Sequence, residues 1–426
     1  MQNWFGNVRY RARHVYRPRS VAELQELVRR SPRIRALGTG HACSDVADTT
    51  GDLVSLADMP RRFEVDAAAR TVRIDGAVRY GELCEPLHEA GFALHNMASL
   101  PHVSVAGSVA TGTHGSGDRS GSLSTAVTRL EIVGPDGELR IVEGDEVDAA
   151  VVSLGALGVV TALDLRVEPA YVMRQDVYED LPLESFAAYY AEISAMADSV
   201  SFFPTWRGPS IDQLWLKRRV TDGRIDAPGE ILGARRATRQ LHPIPGMPAQ
   251  ACTPQLGEPG PWHARLPHFR MDHTPSAGAE LQSEYFIARE HAVEAFLAVD
   301  RLRARLAPLV QVSEIRSVAA DDLWLSPAYR RDSATIHFTW RPDEPAVREL
   351  LPEIESALAP FEPRPHWGKL FTIPLELVAA RYERLADFVA LTGRLDPDGK
   401  CRNDFTERLV FGGRARQDGP GRAGPG

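Results

Sequence analysis

Residues 99–117 run S-L-P-H-V-S-V-A-G-S-V-A-T-G-T-H-G-S-G, and they constrain this chain more than any other stretch. The ribbon holds four glycines, six hydroxyl side chains and two histidines but no Asp, Glu, Lys or Arg, in a chain that is 25% charged. Loops on a protein surface normally carry charge, so a neutral ribbon of this length reads as one that holds something. Glycine lets successive backbone N–H groups turn inward around an anion. The hydroxyls of Ser104, Ser108, Thr111 and Thr113 add donors without formal charge. Such a ribbon can neutralise a pyrophosphate with dipoles alone. A second glycine loop, G-T-G-H-A-C-S-D at 38–45, lacks the third glycine of the dinucleotide fingerprint and opens into no clear helix. Taken alone, that loop is equally consistent with a tight turn. No G-x-x-x-x-G-K-[ST] occurs, which disfavours a nucleotide triphosphatase.

The 426 residues suit two or three domains, and 43% hydrophobic content is enough for real cores. A net charge of -8 argues against a nucleic-acid partner. The cysteines at 43, 84, 252 and 401 form neither a disulfide framework nor a C-x-x-C pair, so no metal site is expected. The start has no apolar signal segment, and no stretch of about 20 apolar residues could span a bilayer. The expectation is a soluble, cytoplasmic monomer without a membrane partner.

Ser20 reads as the N-cap of a helix V-A-E-L-Q-E-L-V-R-R. The run I-R-A-L reads as a strand ending in the first glycine loop, and T-V-R-I-D as another strand feeding a helix Y-G-E-L-C-E-P-L-H-E. R-L-E-I-V-G-P-D-G-E-L-R-I-V-E reads as a hairpin, and S-L-G-A-L-G as a tight loop before a further strand. Residues 1–170 thus form an α+β unit without a clean βαβ repeat. A second domain is read over 171–365, with a proline-rich long loop between about 243 and 276. A C-terminal segment, 366–413, follows; pattern alone does not say which domain it joins. The low-complexity tail 414–426 is expected to be disordered.

Two strands of the second domain are two-faced. In S-E-I-R-S, Glu314 and Arg316 share one side and Ile315 the other. In A-T-I-H-F-T-W, Thr335, His337 and Thr339 lie opposite Ile336, Phe338 and Trp340. A sheet with one wet face is the ordinary reading. The mixture of carboxylate, guanidinium, imidazole and hydroxyl also suits a ligand bearing many hydroxyls. Lys369, in P-H-W-G-K, reads by itself as a surface lysine.

The short strand with G-T-G-H and the ribbon ending V-A-G-S-V-A-T-G-T-H-G-S-G resemble the FAD-binding (PCMH-type) domain of vanillyl-alcohol-oxidase-type flavoproteins. Within that superfamily the chain is similar to the sugar-1,4-lactone and alditol oxidase branch. The segments W-L-K-R-R, P-G-P-W-H, S-E-I-R-S-V-A-A-D, I-H-F-T-W and R-P-H-W-G-K carry the likeness over about residues 3–410.

The resemblance implies a two-domain α+β flavoprotein: an FAD-binding domain over 1–170, a substrate-binding domain with a mixed sheet and flanking helices over 171–365, and 366–413 completing the active site. It assigns FAD to Gly38, Thr39, Gly40, His41, Ala42, Ser99, Ser104, Gly107, Thr111, Thr113, His114, Gly115 and Val160, with a covalent bond through His41. Some relatives add a cysteine bond; G-S-G-D-R-S-G offers no cysteine, so single attachment is expected. Ser99, Glu314, Arg316, Thr339 and Lys369 match substrate-binding positions.

The implied activity is oxidation of the terminal primary alcohol of an alditol such as xylitol or sorbitol to the aldehyde, with dioxygen reduced to hydrogen peroxide. Lys369 and Arg316 would favour the developing alkoxide, Glu314 would orient the carbon, and Ser99 and Thr339 would fix its near end. His337 and a lysine of lowered pKa are both candidates to take the proton. Ala98, beside Ser99, leaves room for dioxygen. Cys43 and the run K-C-R-N-D-F depart from the pattern of the branch. An aldonolactone oxidase, a carrier-coupled dehydrogenase and a non-catalytic sugar-binding protein are the competing readings.

Overall fold

The computed structural model describes residues 1–221, 227–273 and 280–410; the tail at 414–426 lies outside the described residues. The helix Val21–Arg30 starts at Ser20, whose hydroxyl accepts from the Glu23 N–H. Leu24, Leu27 and Val28, three to four residues apart, are buried against Ile34, Val54 and Val133. The strand Ile34–Ala36 pairs in parallel with Asp52–Val54, which pairs in parallel with His14–Tyr16. That small sheet delivers the chain to Gly38.

Beside it stands a five-stranded antiparallel sheet. Its order is Phe63–Asp66, Thr71–Asp75, Val159–Arg166, Val127–Val133 and Leu139–Glu143. Its central strands put Ile74, Leu130 and Leu163 into one core.

A larger antiparallel sheet begins at Val172 and reaches Pro365. Its middle strands are Val310–Val318, Ser333–Trp340 and Leu281–Ala288, with Glu314, His337 and Glu284 aligned across all three. The helices Ala292–Asp300 and Glu344–Leu358 cover the back, where Phe296, Leu350 and Ile354 pack with Ile336, Phe338 and Trp340.

The front face departs from the wet face expected of it: every residue of Ser333–Trp340 is buried. Period-two alternation tells which side chains share a face, not what covers that face.

The cover is the ribbon. It is interior rather than a surface loop, and it contains a short helix, Val105–Val109, whose two valines are fully buried. Both ends are tied to the larger sheet's unit. The Ser99 carbonyl accepts from the N–H groups of His268 and Phe269 at 3.1 and 3.2 Å. At the other end Gly117 N–H donates to the Ser317 carbonyl at 2.9 Å.

The C-terminal segment, ambiguous by pattern, returns to the first unit. Ile34 N–H donates to the Lys400 carbonyl at 3.0 Å, and Arg35 Nη1 donates to the Cys401 carbonyl at 2.7 Å. Asn403 Nδ2 donates to the carbonyls of Val46 and Asp48 at 3.0 and 2.7 Å. The K-C-R-N-D-F departure is therefore the latch that closes the chain on itself. Among the described residues no helix is long and apolar enough to cross a membrane.

Candidate active site

A cavity of about 470 Å³ runs from the first glycine loop to the front face of the larger sheet. Its first wall is built around His41. Gly40 sits at φ +74°, a left-handed conformation that side-chain-bearing residues rarely adopt, and its carbonyl accepts from the Trp4 N–H at 2.8 Å. The Trp4 ring then stacks on the His41 imidazole, centroids 4.7 Å apart. His41 Nδ1 lies 2.9 Å from Thr39 Oγ1, and its buried Nε2 has no hydrogen-bond partner among the described residues. Burial, helped by the positive fields of His102, Lys369 and Arg79, pulls His41 down to about 4. The imidazole is therefore neutral at pH 7 and keeps a lone pair.

Two glycines form a cradle beside it. A Cβ on Gly38 would lie 2.6 Å from Ser104 Oγ, and one on Gly107 would lie 2.7 Å from the same oxygen. Thr39, Ala42, Ser99, Ser104, Thr111, Thr113, His114 and Val160 line the cavity with them. Gly115 does not. A Cβ there would meet Asn96 Oδ1 at 2.3 Å, so this glycine serves a close backbone packing behind the wall. Formal positive charge also enters from outside the ribbon, through Arg17, Arg35, Arg61 and Arg79, so dipoles do not act alone.

The far wall is the sheet face. Buried Arg316 places Nη2 2.9 Å from Glu284 Oε1, Nε 3.6 Å from Glu314 Oε1 and Nη1 3.5 Å from Ser99 Oγ. Glu314 Oε1 also accepts from His268 Nε2 at 2.8 Å. Burial alone would raise both carboxylates. The Arg316 guanidinium followed by His268 holds Glu314 well below the usual range, and His114 followed by Arg316 does so for Glu284.

His337 stands between the two glutamates in register. Burial, against the pull of Glu284, drives it down to about 3, so it too is neutral. Lys369 Nζ donates to Gln282 Oε1, and Thr339 pairs across the strands with Gln282 and Val312. All five substrate-binding residues expected from the sequence, Ser99, Glu314, Arg316, Thr339 and Lys369, face this one cavity together with His337.

His114, Glu284 and His366 bring ligand-type atoms within 4.8 Å of one another. His366 Nδ1 already accepts from the Gly368 N–H at 3.0 Å, and Arg316 already supplies the cation beside Glu284. Within the trio, His114 Nε2 lies 3.1 Å from Glu284 Oε1.

Glu284, Gln282, His268, His366 and His242 also line the cavity and were missed in the sequence. The alternation in L-Q-S-E-Y-F-I carried the signal for Gln282 and Glu284. His242 borders the proline-rich stretch and His268 lies within it, where no period marks a face; only the tertiary fold brings these two histidines to the site.

Comparison with known proteins bears on this geometry. A family model described as "FAD binding domain" matches residues 12–143, and one described as "D-arabinono-1,4-lactone oxidase" matches residues 279–409. An alditol oxidase of Streptomyces sp. is 50% identical, covering 96% of this chain and 99% of that protein. An L-gulono-1,4-lactone dehydrogenase of Mycobacterium tuberculosis is 29% identical over 96% of this chain and 98% of its own. The crystal structure of cholesterol oxidase from B. sterolicum superposes with a TM-score of 0.76 at 14% identity, covering 96% of each chain, which shows a shared fold.

Proposed function

The chain belongs to the alditol oxidase family, a two-domain group of vanillyl-alcohol-oxidase-type FAD-dependent oxidases, and from that premise we propose how its cavity works, with FAD attached through His41. The reaction is oxidation of an alditol at a CH–OH group with dioxygen as acceptor. The proposal specifies the terminal primary alcohol, with the aldehyde and hydrogen peroxide as products. The observation that carries it is the juxtaposition of a neutral, unpartnered His41 Nε2 with the Glu314, Arg316, Thr339 and Lys369 set across one cavity.

The fit to FAD rests on the residues present. The Gly38–Gly107 cradle lets a ligand approach the backbone where a single Cβ would intrude, and hydroxyl donors with nearby arginines suit a pyrophosphate. Accepting hydride from the carbinol and returning the electron pair to dioxygen is the chemistry FAD supplies when bound. A neutral imidazole is the nucleophile that a covalent link to His41 requires. The ribbon holds no cysteine for a second link.

Arg316 and Lys369 place positive charge where the substrate oxygen develops negative charge. Glu314 accepts from neighbouring hydroxyls and sets the polyol's orientation; Ser99 and Thr339 hold its near end. His337 receives the hydroxyl proton. It is neutral at rest; Glu284 and Glu314 on either side favour the imidazolium against burial and the charges of Lys369 and Arg316, so the proton resides there only in passing. An open polyol satisfies this many donors and acceptors; one missing hydroxyl leaves a buried group unpaired.

Oxygen uptake with xylitol or sorbitol, compared with a galactono- or gulonolactone, tests the substrate class. Faster turnover of the lactone would transfer the assignment to the activity named by the model over 279–409. Anaerobic reduction followed by slow reoxidation in air would mark a dehydrogenase instead.

Gly38→Ala is expected to weaken flavin binding about 5- to 150-fold, since overpacking costs about 1–3 kcal/mol; the ratio of visible to ultraviolet absorbance after dilution measures it. His337→Phe is expected to slow anaerobic flavin reduction about 100-fold or more while flavin content stays normal. Unchanged reduction kinetics would remove His337 from the proton's path.

A further inference from the structure

Lys217 has no part in the reaction as described, yet it is 1% exposed on the strand Ser210–Arg219 of the same sheet. Its Nζ lies 2.9, 2.6 and 3.0 Å from the carbonyl oxygens of Arg265, Leu266 and Pro267, and 3.0 Å from His268 Nδ1. An ammonium has only donors to offer, and three carbonyl oxygens call for them. With Lys217 charged, His268 Nδ1 must present its lone pair, and the ring proton resides on Nε2. That nitrogen is 2.8 Å from Glu314 Oε1, where an N–H is what a carboxylate needs. The opposite tautomer would set two lone pairs against each other at the same distance.

The turn that carries His268 also grips the ribbon, through the His268 and Phe269 N–H groups on the Ser99 carbonyl. Glu314 Oε1 is taken by His268 and lies 3.6 Å from Arg316 Nε. Its Oε2 receives no protein hydrogen bond among the described residues, and the carboxylate lines the cavity.

We propose that Lys217 and His268 are positioning residues: Lys217 fixes the tautomer of His268, and His268 pins one oxygen of Glu314 so that the other is presented to a substrate hydroxyl. The inference rests on the reading that Glu314 meets the substrate.

Burial draws Lys217 down to about 7 against the opposing pull of Glu314. The other groups facing it are Cys252, pushed up to about 12, the charged Arg265 and Arg316, and His268, held neutral at about 4 by burial and by Lys217 itself. Lys217 is therefore the member of this group that titrates near neutrality. Protonated, it sets the tautomer; as pH rises through about 7 the setting is lost, and kcat/KM falls through a weaker KM.

The test uses the flavin-loaded full chain with xylitol as probe. KM and kcat are read separately across pH, with thermal melting to confirm folding. Lys217→Met and His268→Leu are expected to raise KM about tenfold with kcat little changed. His268→Gln offers an amide oxygen to Lys217 and an amide N–H to Glu314, so it mimics the required tautomer without needing Lys217. KM in that variant is expected to stay within about threefold of the parent and to lose its alkaline rise. Lys217→Met made on the His268→Gln background is expected to cost less than about twofold, a coupling that a purely structural lysine would not show. Equal cost of Lys217→Met on both backgrounds overturns the proposal, as does an unchanged KM in His268→Leu.

If Lys217→Met fails to fold, the His268 pair and the pH profile decide. Glu314→Gln separates the two levels. If it leaves KM unchanged, the reading of Glu314 and this inference fall together. If it raises KM while the His268 and Lys217 variants do not, only the inference falls.

Discussion

Arg316→Met is expected to produce the largest loss, in both stability and rate. The guanidinium sits between Glu284 and Glu314, 2.9 and 3.6 Å from their nearest oxygens, and all three side chains are buried. Removing it leaves two carboxylates facing the same interior without the guanidinium they share, the first counter-charge of Glu314 and the second, after His114, of Glu284. Breaking a buried pair in this way costs about 3–5 kcal/mol, and losing a preorganised donor costs about 10²–10³-fold in turnover.

The pH dependence should change sign. In the parent, both carboxylates have depressed folded values, so their stabilising contribution is present above their unfolded value of about 4.5 and is lost as pH falls toward the folded values. In the variant, Glu314 loses the first cause of its depression, burial raises its folded value instead, and its contribution to stability is lost as pH rises. Chemical denaturation at about pH 5 and about pH 8 checks this. A deficit no smaller at the acid end would mean that the carboxylates have found other cations.

His41→Ala is the second. Its expected result is complete loss of colour from acid-precipitated protein, whereas the parent retains it. Binding without the bond should persist, because the Gly38–Gly107 cradle and the hydroxyls of the ribbon are untouched. Turnover should fall, since the link raises the flavin's potential and favours hydride acceptance. The parent and variant differ further in stacking: Trp4 loses the ring it lies on. Colour that stays with the acid-precipitated variant would place the attachment on another residue; colour absent from the acid-precipitated parent would remove the covalent claim while leaving FAD itself.

Half of the far wall is legible in the sequence. Glu314 and Arg316 are two apart on a strand, as are His337 and Thr339, and a strand's period alone puts each pair on one face. Glu284 was equally available by period in L-Q-S-E-Y-F-I, but its importance comes from lying across from His337, and register between distant strands is non-local. His268 had no local signal at all. It reaches Glu314 because the turn at 265–268 is hung on Lys217 from another strand. Gly115 marks the opposite limit: a glycine inside the right motif turned its missing side chain toward Asn96 rather than toward the cavity.

By itself the sequence determined the neutral glycine ribbon, the helix that starts at Ser20 and the two-faced strands, because these follow from steric freedom and from repeat lengths of 3.6 and 2 residues. The tertiary structure alone decided that the ribbon lies over the sheet, turning an expected wet face into a closed, charge-balanced interior. It also decided that the chain's end latches to its beginning through Arg35 and Asn403. Those outcomes depend on which surfaces exclude water from one another, and desolvation is a property of assembled neighbours that no single segment encodes.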